Sequence, residues 1–147
     1  MTNTDRADAL FAEGYNCSQS VFAAFAEKMG MERETALKIA SGFGGGMGKT
    51  GGTCGAVTGA FMVIGLARGY SASDATTEKD ASYDRIRKAA DRFIAIHGIL
   101  SCPGLLNVDI GTPDGMADAR ARGVFKALCP RFVHDAAEIV ETIIAED

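Results

Sequence analysis

Apolar side chains along the chain recur at helical spacing. Val21, Phe22, Phe25 and Met29 lie three or four positions apart, as on one face of a helix. No run alternates polar and β-branched apolar residues in the way a half-buried strand does. Residues that start and end helices separate the segments and predict helices over 5–13, 16–29, 32–41, 54–67, 73 or 80 to 97, 112–128 and 130–144, with a short helical turn after position 102.

The helix predicted over 54–67 is apolar on all sides, which is typical of a buried helix. The segment before it, SGFGGGMGKTGGT over 41–53, is so rich in glycine that no regular element is expected there, because ordering glycine costs much backbone entropy. In the helix that ends at 97, Phe93, Ile94 and Ile96 fall on or near the apolar face. We therefore predict an all-α fold, a single-domain bundle of about six to seven helices over 1–147 around a buried, Gly/Ala-rich central helix.

Composition narrows the function and the compartment. The chain of 147 residues has a net charge of −4 and no run rich in Lys or Arg, so nothing suggests a nucleic-acid partner. The N-terminus lacks the layout of a signal peptide, and the longest apolar stretch, 56–67, is too short to span a bilayer. We expect a cytoplasmic protein, in which four cysteines point to catalysis or metal binding rather than to a disulfide framework.

The four cysteines share a predicted position at helix N-termini. Cys17 and Cys54 each follow a residue type that caps helices, while Cys102 and Cys129 each precede a proline, which favours the first helical position. Unpaired amides there stabilise a thiolate and lower its pKa from about 8.5. A thiolate serves both as a nucleophile and as a ligand for soft metals or iron–sulfur clusters. No two of the cysteines form a CxxC pair, so the fold has to assemble any site from four segments.

This arrangement of cysteines resembles the C_GCAxxG_C_C family of redox-active proteins. The resemblance rests on GYNCSQSV around Cys17, CGAVTG over 54–59, HGILSCPGLL around Cys102 and KALCPRFV around Cys129, and it extends from about residue 15 to the last helix. It implies a helical fold and a redox or ligand role for the four cysteines. Some relatives are fused to haem cytochromes or resemble them, and the resemblance to these relatives implies that the cysteines hold an iron–sulfur centre. This chain has no CxxCH, so covalent haem is not expected.

Residues beside Cys54 are candidates for contact with a cofactor. The amides of the glycine-rich segment and Lys49 can surround an anionic group, whether a cluster, a substrate or a phosphate, although the segment can equally be a connector that only positions Cys54. Gly55 and Gly59 leave room for a backbone or a cofactor to come close. The candidates for cofactor binding are Lys49, Gly52, Thr53, Gly55 and Gly59.

Other signals are weaker. FGGGMGKT lacks the first glycine of a phosphate-binding loop, and GMGKTG has no βαβ context, so no nucleotide is expected. His97 and His134 each lie five residues from a cysteine, but a role at a helix end is favoured over metal ligation.

Three functions stay open at the level of sequence. The first is a protein that binds an iron–sulfur cluster or another thiolate-bound metal and passes electrons to an unknown partner. The second is a thiol–disulfide oxidoreductase without metal. The third is a helical binding or structural domain, with or without zinc. The apolar, glycine-faced central helix is compatible with a homodimer, but the sequence does not decide the oligomeric state.

Overall fold

A computed structural model describes residues 1–146, and these form an all-α bundle. Eight helices follow one another along this part of the chain: α1 (Asn3–Glu13), α2 (Cys17–Ala26), α3 (Arg33–Ala40), α4 (Gly55–Arg68), α5 (Thr76–His97), α6 (Cys102–Leu106), α7 (Pro113–Arg122) and α8 (Val124–Ala145). The predicted fold class is confirmed. The described residues contain one isolated antiparallel bridge, between Thr53 and Ser101, and no strand. None of the helices is long and apolar enough to cross a membrane.

Local capping explains several helix boundaries. Thr2 with Asp5 and Asn16 with Gln19 form capping boxes at the starts of α1 and α2, which satisfy amides that have no partner in the first helical turn. Ser101 and Thr112 cap the starts of α6 and α7. Glycines in the left-handed conformation end α1, α5 and α7.

Eight of the first ten residues of the central helix α4 are buried, Phe61 and Met62 are partly buried, and the last turn of the helix reaches the surface. It packs against α2, α5 and α8, and α1 closes the bundle by packing on α2 and α8. Gly59 lets α2 approach closely, because a Cβ at this position would lie 2.8 Å from the carbonyl oxygen of Ser18. The apolar face of α8 is buried: Phe132, Val133, Ala136, Ile139, Val140 and Ile143.

Some of the predicted core positions were wrong. Met29, Ile94 and Ile96 are exposed. Met29 lies in a short 3-10 turn after α2 has ended at Ala26, so its side chain leaves the apolar face. Ile94 and Ile96 flank the buried face that Phe93 occupies, because α5 lies at the surface and buries only a narrow stripe.

The last two helix boundaries also differ from the prediction. α7 ends at Arg122, and α8 begins at Val124 and runs through Pro130. Pro130 cannot donate the hydrogen bond that an interior helical residue normally makes, a cost of about 3 kcal/mol. Burial of the apolar face of α8 offsets that cost, so the helix continues where the local signal predicts a start.

The glycine-rich segment over 41–53 contains a left-handed helical turn. Within Gly44–Lys49, five consecutive residues have φ between 63° and 71°: Gly45, Gly46, Met47, Gly48 and Lys49. The expectation that this segment forms no regular element was therefore wrong. A left-handed turn costs L-residues about 1–2 kcal/mol each, and three of these five positions are glycine. We call the segment the left-handed turn.

Candidate functional site: four cysteines around one cavity

The four cysteines line a single cavity of about 330 Å³, although they come from four separate helices or helix starts. Cys54, Cys102 and Cys129 are buried, and Cys17 is partly buried. All four are free thiols. The fold thus brings together cysteines that are up to 112 positions apart in the chain (129 minus 17).

Three of the four cysteines lie at helix starts, and the fourth does not. Cys17 is the first residue of α2, Cys54 is the N-cap of α4, and Cys102 is the first residue of α6. The predicted helix start at Cys129 was wrong, because Cys129 lies inside α8. It reaches the cavity because Phe125, Cys129 and Phe132 share one helical face, and all three line the cavity.

Backbone pairing joins the segments of Cys54 and Cys102. The Cys54 amide donates to the carbonyl oxygen of Leu100 at 2.7 Å, and the Cys102 amide donates to that of Gly52 at 2.8 Å. These bonds flank the bridge between Thr53 and Ser101. Thr53 and Gly52, both proposed as cofactor-binding residues, therefore join two cysteine segments, and neither lines the cavity.

The left-handed turn packs directly on Cys102. A Cβ at Gly46 would lie 2.5 Å from the Cys102 Cβ, closer than packed atoms can approach. The Gly46 carbonyl accepts a hydrogen bond from the Gly52 amide at 2.9 Å, which ties the turn to the backbone beside Cys102. Lys49, at the end of the turn, also lines the cavity. Of the other predicted residues, Gly55 lines the cavity and Gly59 does not.

The cysteine thiols differ in acidity. A hydrogen bond from the Cys17 thiol lowers the pKa of Cys54, and the backbone amides of Ala56 and Val57 lower it further. Cys17 has its pKa raised well above its ordinary value, because it shares hydrogen bonds with Cys129 and Cys54 and is desolvated. Burial raises the pKa of Cys102 to about 12. Cys54 therefore ionises before Cys17 and Cys102, with Cys17 as its hydrogen-bond donor.

The cysteine sulfurs are close together but not packed around a single point. Within residues 1–146, His134, Asp135 and Glu138 are the only three His, Cys, Asp or Glu residues whose ligand atoms all lie within 4.8 Å of one another. No three cysteine sulfurs are that close. Cys17 interacts with both Cys54 and Cys129.

Large apolar side chains form much of the remaining lining of the cavity. The sequence carries no signal for Phe125 or Ile110, because these residues converge only in the folded chain. Phe132 lies next to Cys129. We call the other large apolar residues of the lining the apolar wall: Phe11, Leu105, Leu106, Ile110, Met116 and Phe125.

The two histidines lie outside this cavity. His97 Nε2 lies 2.8 Å from the buried carboxylate of Asp135, and Arg131 Nε donates to the same oxygen at 2.8 Å. His134 bridges Asp8 at 2.9 Å and Glu138 at 3.1 Å. Both imidazoles are engaged with carboxylates, so neither completes a mixed Cys/His site with the four thiols.

Comparison with protein families gives one match. The family described as "Putative redox-active protein (C_GCAxxG_C_C)" matches residues 15–143 of the 147. Comparison with curated proteins and comparison with solved structures gave no match. The family name writes its central motif as Gly-Cys-Ala, whereas this chain has Cys54-Gly55-Ala56. The match covers all four cysteines and nearly the whole chain, and the chain therefore belongs to the C_GCAxxG_C_C family of redox-active proteins.

Proposed function

We propose that this chain acts as one redox domain, in which Cys17, Cys54, Cys102 and Cys129 hold an iron–sulfur cluster that exchanges electrons with a partner. The observation that carries this proposal is the convergence of the four thiols on one cavity from four separate segments. Four thiolates are the usual ligand set of such clusters. The cluster supplies one-electron chemistry, and the chain supplies the ligands and the apolar surroundings.

The spacing of the sulfurs favours a cluster over a single metal ion. A tetrahedral ion with metal–sulfur bonds of about 2.3 Å holds its sulfurs about 3.8 Å apart, which is tighter than any three sulfurs here. A cluster distributes its thiolates over several iron atoms, so its ligands lie further apart. A thiolate-bound zinc ion would require the segments to close inward.

The helix starts support an anionic centre. The N-terminus of α4 places the amides of Ala56 and Val57 where they favour the Cys54 thiolate. A cluster with four thiolates carries negative charge, which the positive ends of helices stabilise. Because a thiolate-bound cluster is stable in a reducing compartment, we propose that the protein is located in the cytoplasm.

The test is iron and sulfide analysis on protein purified without oxygen. We expect brown protein with visible absorption and with iron and acid-labile sulfide in comparable amounts. Cys54→Ser should lose most of both, whereas Thr50→Ser, which alters a hydroxyl residue outside the cavity lining, should retain them. Colourless wild-type protein without iron would contradict the proposal.

A thiol–disulfide oxidoreductase is the second candidate, and the contact between Cys17 and Cys54 favours it. The Cys54 thiolate would attack a partner disulfide and form a mixed disulfide, which Cys17 would resolve. The two thiols would lose two electrons and two protons, and the partner disulfide would become two thiols. Thiol titration with and without reductant tests this candidate, because a loss of two thiols on oxidation supports it and four unchanged thiols contradict it.

A further inference from the structure

The cavity extends well beyond the cysteine sulfurs. Its volume of about 330 Å³ falls in the range of about 300–1,000 Å³ that is typical of sites for small organic molecules. The cysteines and the left-handed turn occupy one part of the lining, and the apolar wall forms another. Apart from the thioether of Met116, the side chains of the wall are hydrocarbon, so most of this surface can pack against an apolar molecule.

One charged residue lies on this lining. Lys49 is the only Lys, Arg, Asp or Glu among the residues around the cavity, and it forms no ion pair within residues 1–146. Its stem and Ile110 of the apolar wall both lie near Gly45, because a Cβ at Gly45 would be 3.5 Å from Lys49 Cγ and 3.6 Å from Ile110 Cδ1. Lys49 is an exposed residue, so a ligand can reach it from solvent.

We infer that the cavity binds a small, mainly apolar organic anion, with its hydrocarbon part against the apolar wall and its anionic group at Lys49. The cysteine sulfurs line the same cavity, so a bound molecule lies beside them. This inference deepens the proposed redox function by naming the class of molecule that the sulfurs meet. Binding itself depends on the wall and on Lys49, so it can be measured whether or not a cluster is present.

Titration calorimetry with 1-naphthoate on anaerobically purified protein tests the inference. We expect saturable binding at one site per chain. Leu105→Trp, which fills the cavity from the apolar wall, should weaken binding more than tenfold. Ile96→Trp, which adds the same side chain at an exposed site outside the cavity, should leave binding unchanged.

The role of Lys49 is tested with an uncharged probe of the same shape. Lys49→Gln keeps much of the stem but removes the charge, and it should weaken naphthoate binding about two- to fivefold, as expected for an exposed ion pair. Binding of 1-naphthalenemethanol should not change. If Lys49→Gln weakens the binding of 1-naphthoate and of 1-naphthalenemethanol equally, the assignment of the anionic group to Lys49 is overturned.

Two results would overturn the inference as a whole. One is the absence of saturable binding of naphthoate, benzoate and octanoate to folded wild-type protein. The other is equal binding to wild type and to the cavity-filling variants, for which Met116→Trp provides a second example if Leu105→Trp does not fold. Iron and sulfide are measured in the same samples, so protein without iron that binds naphthoate contradicts the cluster but keeps this inference.

Discussion

Single residues give Cys54 and Cys102 unlike acidities, although both thiols line one cavity. Cys54 receives a hydrogen bond from Cys17 and faces the start of α4, and both effects lower its pKa. Cys102 is desolvated and lies in the field of Cys54, Cys129 and Asp109, which raises its pKa to about 12. This difference in pKa arises from the immediate neighbours of each thiol. The reactivity of the two thiols should therefore differ in the same order as their acidity.

In cofactor-free protein, we predict that Cys54 is alkylated by iodoacetamide at lower pH than Cys102. The thiolate is the reactive form, and it is populated only as the pH approaches the pKa of each thiol. Peptide mass spectrometry after short exposures across a pH series measures the order of labelling. Protein unfolded in urea provides the control, because both cysteines should then react alike. Faster labelling of Cys102 in the folded protein would contradict the assignment.

At the scale of the helix, the glycines of α4 have different roles. Gly59 faces α2, where an added Cβ would lie 2.8 Å from a backbone oxygen and 3.1 Å from the Val21 Cβ. Gly65, two turns later on the exposed end, has no atom within 4 Å of an added Cβ. The first position needs glycine so that two helices can approach, and the second has no such requirement.

We predict opposite effects of alanine at these two positions. Gly59→Ala should lower the free energy of unfolding by about 1–3 kcal/mol, because the backbone of α2 has to move. Gly65→Ala should raise it by about 0.5–1 kcal/mol, because alanine loses less backbone entropy in a helix. Urea denaturation of both variants measures the difference. Two changes of the same sign would show that α2 and α4 do not pack as described.

At the scale of the whole molecule, contacts between distant segments close the bundle around the cysteines. α1 packs on α8, and His134 Nδ1 on α8 lies 2.9 Å from Asp8 on α1. The hydrogen bond with Asp8 raises the pKa of His134 despite some desolvation. Folding therefore favours the charged imidazole, so this contact depends on pH.

We predict that the free energy of unfolding falls as the pH rises above about 6.5. The raised pKa of His134 means that its stabilisation is complete below the pKa of the unfolded chain and is lost as the pH rises through the folded value. Both side chains are partly exposed, so the change should stay within about 1 kcal/mol. Urea denaturation from about pH 6 to about pH 8 measures it.

His134→Gln should flatten this pH dependence. Glu34→Gln serves as the control, because it breaks an exposed ion pair with Lys38 far from α8 and leaves His134 unchanged. An unaltered slope in His134→Gln would assign the dependence to other groups. Size-exclusion chromatography with light scattering on the same samples measures whether the chain forms a homodimer. Gly55 and Gly59 of α4 pack against α2 within the chain, so a homodimer would need a different surface.

Local sequence signals determined the elements of this protein. Apolar periodicity and capping residues report on backbone conformation over one or two turns, and they were enough to predict the helical class and the helix starts at Cys17 and Cys54. The order of the four cysteines was enough to indicate the family. These properties depend on neighbours in the chain, which is why the sequence alone carries them.

Only the tertiary structure decided how these elements form a site. Cys129 reaches the cavity from the middle of α8, because packing overrides the local preference of Pro130 for a helix start. The apolar wall combines residues of α1, α6, α7, α8 and the loop between α6 and α7, which no local pattern relates. The cavity exists because packing between distant segments brings those side chains and the four sulfurs together, and such packing depends on the whole chain at once.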